Sequence, residues 1–204
     1  MEIGTRTQKR ILESYRTIYG IYAIFGRYYT ILQAMDRERR IFYCKELWKE
    51  AFGDSDEYID YFISHYFCDK NMLSVENEEG LLSMLHIIPF SYCNFKIGYI
   101  FAVATAPQAR CRGYAAKLIE KAVYLAKETG YDALALIPAD DKLYNYYTRF
   151  GFSGKHRVDF SLPDTFSFGT GDKENDLISI LPLSPTFALN KVDSTITLKW
   201  DGNR

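Results

Sequence analysis

The stretch that most constrains the fold runs from Tyr99 to Ala126, YIFAVATAPQARCRGYAAKLIEKAVYLA. It predicts an apolar strand over Tyr99 to Ala104, a turn set by Thr105, Ala106 and Pro107, a basic glycine loop over Arg110 to Ala115, and then a helix. Ala115, Leu118, Ile119, Ala122 and Ala126 recur at three- and four-residue spacing while Lys117, Glu120, Lys121 and Lys127 fall elsewhere, so the helix is amphipathic. Gly130 marks its end. Ala133 to Ile137, mainly apolar, then suits a buried parallel strand, and strand, loop, helix and strand make a βαβ crossover. A ligand of such a unit sits at the carboxyl ends of its strands.

The loop has the makings of a phosphate site. Unpaired amide hydrogens in the first turn of a helix, with the positive end of its dipole, attract an anion, and glycine lets the ligand reach the backbone. Arg110 and Arg112 add charge. No Gly-Lys-Ser or Gly-Lys-Thr follows, and the three glycines of a dinucleotide fingerprint are missing. The loop alone also fits an ordinary connection between strand and helix.

The chain has 204 residues, 48% of them hydrophobic, enough for one folded domain with appendages. A net charge of -1 gives no electrostatic footprint for nucleic acid. Cys44, Cys68, Cys93 and Cys111 are widely spaced, which predicts reduced thiols in a cytoplasmic protein. His65 and Cys68 form the one local pair with helical ligand spacing, and no recognisable pattern supplies further ligands, so no metal site is expected.

Residues 1–34 read as an extension. Their aromatic run from Ile18 to Leu32 is broken by Gly20, Gly26 and Arg27, short of the roughly 20 apolar residues of a membrane span. Three readings stand for it: an accessory packing helix, an interfacial membrane or partner-binding helix, or residues upstream of a native start at Met35. From Asp36 the pattern predicts a helix with Ile41, Cys44, Leu47, Trp48 and Ala51 on one face, ended by Gly53. A second helix follows, capped by Asp54 and burying Tyr58, Ile59, Phe62, Ile63, Tyr66 and Phe67. Strands are predicted over Asn71 to Val75 and Leu81 to Ile88, with Pro89 ending the second, and Ser91 to Phe95 as a further short strand. His86 reads as a hydrogen-bonded histidine of the sheet. Asp141 to Arg149 is a tyrosine-rich helix, followed by a strand from Lys155 to Leu162. Within 163–204, Ser167 to Asp176 reads as a polar loop, and Leu177 to Leu183 and Ser194 to Trp200 as strands able to pair across a homodimer.

Two ordered motifs carry a family resemblance. VATAPQARCRGYAAKLI resembles motif A of the GNAT superfamily of acyl-CoA-dependent acyltransferases, written Gln/Arg-x-x-Gly-x-Gly/Ala, with Arg110, Gly113 and Ala115 at its fixed positions. LYNYYTRFGF resembles the family's later motif, with Tyr146, Tyr147, Gly151 and Phe152 matching. The resemblance covers residues 35–162, leaving 163–204 as a C-terminal extension. It implies an α/β (α+β type) fold: a mixed, mainly antiparallel sheet, splayed at two central parallel strands and flanked by helices. It further implies acetyl-CoA as acyl donor, its pantetheine on the backbone of Val103, Ala104 and Thr105 and its pyrophosphate on Arg110, Cys111, Arg112, Gly113, Tyr114 and Ala115. Tyr147 stands at the position that often serves as general acid. The acceptor is expected to be a small-molecule or peptide amine; the alternative is a module that binds acyl-CoA without catalysis. No general base is evident, since Asp140 and Asp141 suit a helix cap equally well.

Overall fold

The computed structural model describes residues 37–169, 176–188 and 195–202. The expectations for residues 1–34 and for a start at Met35 lie outside the described residues. Helix α1 (Arg37–Phe52) buries Cys44, Leu47 and Trp48, and α2 (Asp56–His65) buries Ile59 and Phe62. Strands β1 (Met72–Asn77), β2 (Gly80–Tyr92) and β3 (Phe95–Thr105) form an antiparallel meander. Helix α3 (Tyr114–Glu128) crosses to β4 (Ala133–Leu136), which runs parallel to β3. Then come α4 (Asp141–Thr148), β5 (Ser153–Ser161), β6 (Leu177–Pro182), the short α5 (Pro185–Ala188) and β7 (Thr195–Trp200).

The seven strands lie in the order β1-β2-β3-β4-β6-β5-β7, and β7 also pairs with β2 at Phe90 and Ser91. The sheet therefore continues past residue 162. β6 fills the place between β4 and β5, antiparallel to both, and β7 runs parallel to β5. The C-terminal strands thus find partners within the chain.

The strands between the helices are covered on both faces. On β4, Ala133 and Ala135 join one core cluster and Leu134 and Leu136 the other, as side-chain alternation requires. The first cluster lies with α1 and α2 and is dominated by aromatic rings; the second lies with α3 and α4.

Three local expectations are corrected. Pro89 does not end β2, which continues to Tyr92. Pairing with β1 stops at His86 and pairing with β7 begins at Phe90, so the missing N–H of Pro89 falls in a gap on that edge. Ser91 to Phe95 is not a separate strand but the hairpin joining β2 to β3, turning at Cys93 with φ 53. The cap of α2 is Ser55, whose Oγ accepts from the Tyr58 amide at 3.3 Å; Asp54 instead accepts from the Trp48 indole at 2.8 Å.

Candidate active site

The site begins where β3 and β4 part. They pair only over Ile97 to Tyr99 and Ala133 to Ala135. Below this point the strands are pinned. Asp132 accepts from the Lys96 amide at 2.9 Å, donates its own amide to the Lys96 carbonyl at 2.8 Å, and accepts from the amides of Leu183 and Ser184. Gly98 permits the contact, since a Cβ there would stand 2.7 Å from Leu134 Cδ2. Above it, one residue of β2 between Met84 and His86 faces two of β3, and Ala102 takes φ 50. A bulge of this kind bends its strand and sharpens the twist. From Ile100 to Thr105, the edge of β3 turned away from β2 has no strand beside it among the described residues.

The widening opening ends at the glycine loop. A 3-10 turn, Pro107–Ala109, leads to Cys111 at φ 60 and Gly113 at φ 77, and α3 starts with no side chain capping it. The amides of its first turn have no partner within the helix. A Cβ on Gly113 would meet nothing within 4 Å, so the space over this helix end is open. That is the cradle an anionic pyrophosphate needs.

Arg110 does more than add charge: its Nε donates to the Thr105 carbonyl at 3.2 Å, tying the loop to the end of β3. Ser83 donates to the Ala104 carbonyl at 2.8 Å and bonds the Thr105 hydroxyl at 2.9 Å. Val103 lies in the bulged stretch and is half-buried. Cys111, Arg112 and Gly113 are exposed, and Tyr114 and Ala115 are half-buried at the helix start. The structure thus brings all nine residues expected at the cofactor, Val103 to Thr105 and Arg110 to Ala115, onto one continuous stretch at the carboxyl end of β3.

Tyr147 comes from the other side of the opening. It is 7% exposed and packs in the second cluster with Ile100, Leu134 and Leu136. Burial, with a lesser contribution from Tyr146, pushes its hydroxyl well above the ordinary value, so the phenol is neutral throughout the physiological range. Its neighbours have other roles. Tyr146 stacks with Arg149 at 4.4 Å and Tyr144 with Lys155 at 4.6 Å. Asp140 caps α4 by accepting from the Leu143 amide at 2.7 Å, and Asp141 pairs with Lys155 at 2.9 Å.

His86 is a buried residue of the sheet, as expected, enclosed by Trp48, Phe62 and Phe67. Desolvation lowers it to about 3 and raises the adjacent Cys44 thiol, 3.7 Å away, to about 12. Both are neutral packing groups. All four cysteines are free thiols.

Sequence reasoning missed the bulge at Ala102, because an alanine with positive φ leaves no compositional mark. It also missed the aromatic wall facing the opening. Phe168, from the segment read as a polar loop, lies within 6.4 Å, centroid to centroid, of Phe62, Tyr66, Tyr99 and Phe101. Tyr58 and Tyr99 donate to the carbonyls of Ser167 and Phe168, and Tyr66 donates to Asp164. The two aromatic positions flanking Ser167 were the available signal.

An open parallel pair, a bulged strand and an uncapped glycine helix start thus lie along one path. A family model described as acetyltransferase (GNAT) domain matches residues 37–154, and the chain belongs to this family. Solved structures agree on the fold. A GNAT family N-acetyltransferase of Escherichia coli, solved with CoA, is 18% identical with a TM-score of 0.56, over 79% of this chain and 84% of that one. A GNAT family acetyltransferase of Brucella melitensis, solved with acetyl-CoA, is 16% identical with a TM-score of 0.50, over 74% of this chain and 86% of that one. A GCN5-related N-acetyltransferase of Anabaena variabilis is longer: the match spans 60% of this chain and 31% of that one, at 20% identity and a TM-score of 0.47. The comparison with curated proteins finds no match. Among the described residues, no helix is long and apolar enough to cross a membrane.

Proposed function

We propose that the protein is an N-acetyltransferase that moves the acetyl group of acetyl-CoA to a primary amine of a small molecule or peptide by direct attack. The observation that carries this reading is the continuity of the opening: the free edge of β3 leads straight into the uncapped start of α3. An extended cofactor with a thioester at one end and a pyrophosphate at the other matches that path. Val103, Ala104 and Thr105 offer backbone to the pantetheine amides, and Arg110, Cys111, Arg112, Gly113, Tyr114 and Ala115 surround the phosphates. Relatives solved with CoA and acetyl-CoA support the choice of donor.

Direct attack requires that amine and thioester be held in line, that the developing oxyanion find donors, and that the sulfur leave with help. Amides on the unpaired edge of β3 are the donors available to the oxyanion. Tyr147 is the donor to the sulfur. A free phenol is about 1.5 pKa units weaker as an acid than a thiol, which makes transfer in water uphill by roughly 2 kcal/mol. Burial weakens Tyr147 further, but it makes a thiolate formed beside it more basic as well, so the hydrogen bond strengthens as charge develops.

The test is to incubate the protein with acetyl-CoA and a panel of primary amines, following thiol release and the mass of the product. Transfer to at least one amine is expected. Tyr147→Phe is expected to lower kcat about 10- to 100-fold while acetyl-CoA affinity stays within about twofold, since the hydroxyl acts mainly as the bond to sulfur breaks. An unchanged kcat would remove Tyr147 from the mechanism.

A further inference from the structure

Ser83 is fully buried on β2, between Leu81 and Leu82 on one side and Met84 and Leu85 on the other. A hydroxyl without a partner is costly in such a place, so what it bonds decides what it does there. Its Oγ stands 2.8 Å from the Ala104 carbonyl and 2.9 Å from the Thr105 hydroxyl. One hydroxyl carries one proton, and a carbonyl can only accept. Ser83 therefore donates to Ala104, and Thr105 donates to Ser83.

Both partners lie just beyond the bulge of β3. There Ala104 pairs with Met84 and Thr105 with Ser83, and the next amide, of Ala106, donates to the Leu82 carbonyl at 3.0 Å. In an antiparallel ladder, pairs that exchange backbone bonds alternate with pairs whose amides and carbonyls point outward. Leu82 and Ala106 are a bonded pair, so Ser83 and Thr105 are an outward one. The amide and carbonyl of Thr105 thus both face the free edge of β3. Arg110 Nε takes the carbonyl, and the amide hydrogen is turned to the opening.

The Ala104 carbonyl and the Thr105 amide belong to one planar trans peptide, so they point opposite ways. Holding the carbonyl against β2 aims the amide hydrogen at the opening. A carbonyl that accepts a bond also polarises its peptide, which makes the N–H at the other end a stronger donor. This hold counts here because the ladder has just been interrupted: Leu85 alone faces Ala102 and Val103, and the ladder resumes only at Ala104.

Resting on the acyl-transfer reading above, we propose that Ser83 is a positioning residue for acyl-CoA. Buried under the strand, it touches neither cofactor nor amine. It sets the peptide between Ala104 and Thr105 so that the Thr105 amide donates to a carbonyl of the pantetheine arm. Each amide carbonyl of that arm needs a donor once it leaves water.

The test is isothermal titration of Ser83→Ala, Ser83→Cys and the unsubstituted protein with acetyl-CoA and with 3′-phospho-ADP, the cofactor without its pantetheine arm. Ser83→Ala removes the donor; Ser83→Cys keeps the shape and weakens the bond. Acetyl-CoA affinity is expected to fall about 10-fold in Ser83→Ala, the contribution of one well-aimed hydrogen bond, and by less in Ser83→Cys. Affinity for 3′-phospho-ADP should stay within about twofold of the parent in both variants, because the first-turn amides of α3 do not depend on the Ser83 hydroxyl. Equal weakening of both ligands marks a general loosening of the fold and overturns the role of Ser83. Unchanged acetyl-CoA affinity in Ser83→Ala overturns it too; either result leaves the acyl-CoA site standing. Absence of acetyl-CoA binding by the unsubstituted protein overturns the acyl-transfer reading, and this proposal with it.

Discussion

Gly113→Glu is expected to abolish acetyl-CoA binding in isothermal titration while leaving the protein folded. The argument begins with φ 77 at Gly113, a conformation that costs a side chain about 1 kcal/mol, and with the empty space around its missing Cβ. The Cβ of a glutamate there meets nothing within 4 Å. Its carboxylate enters the space over the first turn of α3, where it competes for the same amides and repels a pyrophosphate. A loss of at least 100-fold in affinity is expected, about 2.7 kcal/mol or more. Gly113→Ala carries the backbone strain without the charge and should stay within a few-fold of the parent. Wild-type affinity in the glutamate variant would mean that the loop holds no phosphate.

The second large effect concerns stability. Phe168 is 2% exposed and sits among Phe62, Tyr66, Phe90, Tyr99, Phe101, Phe160 and Phe166. Truncating a ring so placed removes its burial and leaves a cavity that packed neighbours fill only in part. Phe168→Ala is therefore expected to cost about 3–5 kcal/mol. For a chain of this size that lowers the thermal midpoint by roughly 10 °C. A change below about 1 kcal/mol in urea unfolding would show that the segment over the aromatic face is dispensable.

What the residues disclosed in advance follows from the range of the interactions. Helix α3 and the strand before it were legible because apolar spacing, a glycine loop and a glycine stop agree within one short stretch. Tyr147 was singled out through its motif, and the structure packs it with Ile100, Leu134 and Leu136. The position of β6 was not, since insertion between β4 and β5 depends on pairing between Leu136 and Ser179, far apart in the chain. Phe168 was hidden for a related reason: one aromatic residue in a polar loop carries no periodicity, and only the folded sheet gives it a surface to cover. The choice between Asp54 and Ser55 as a cap turned on one residue, decided by the Trp48 indole, which claims the Asp54 carboxylate.

The measurement that tests the central claim most directly is amide hydrogen exchange with and without saturating acetyl-CoA. The account predicts slower exchange on the free edge of β3, residues 102–105, and in the loop and first turn over 111–116, with the far side of the sheet, β1, unaffected. Absence of protection in both segments, or protection confined to other parts of the chain, would contradict it.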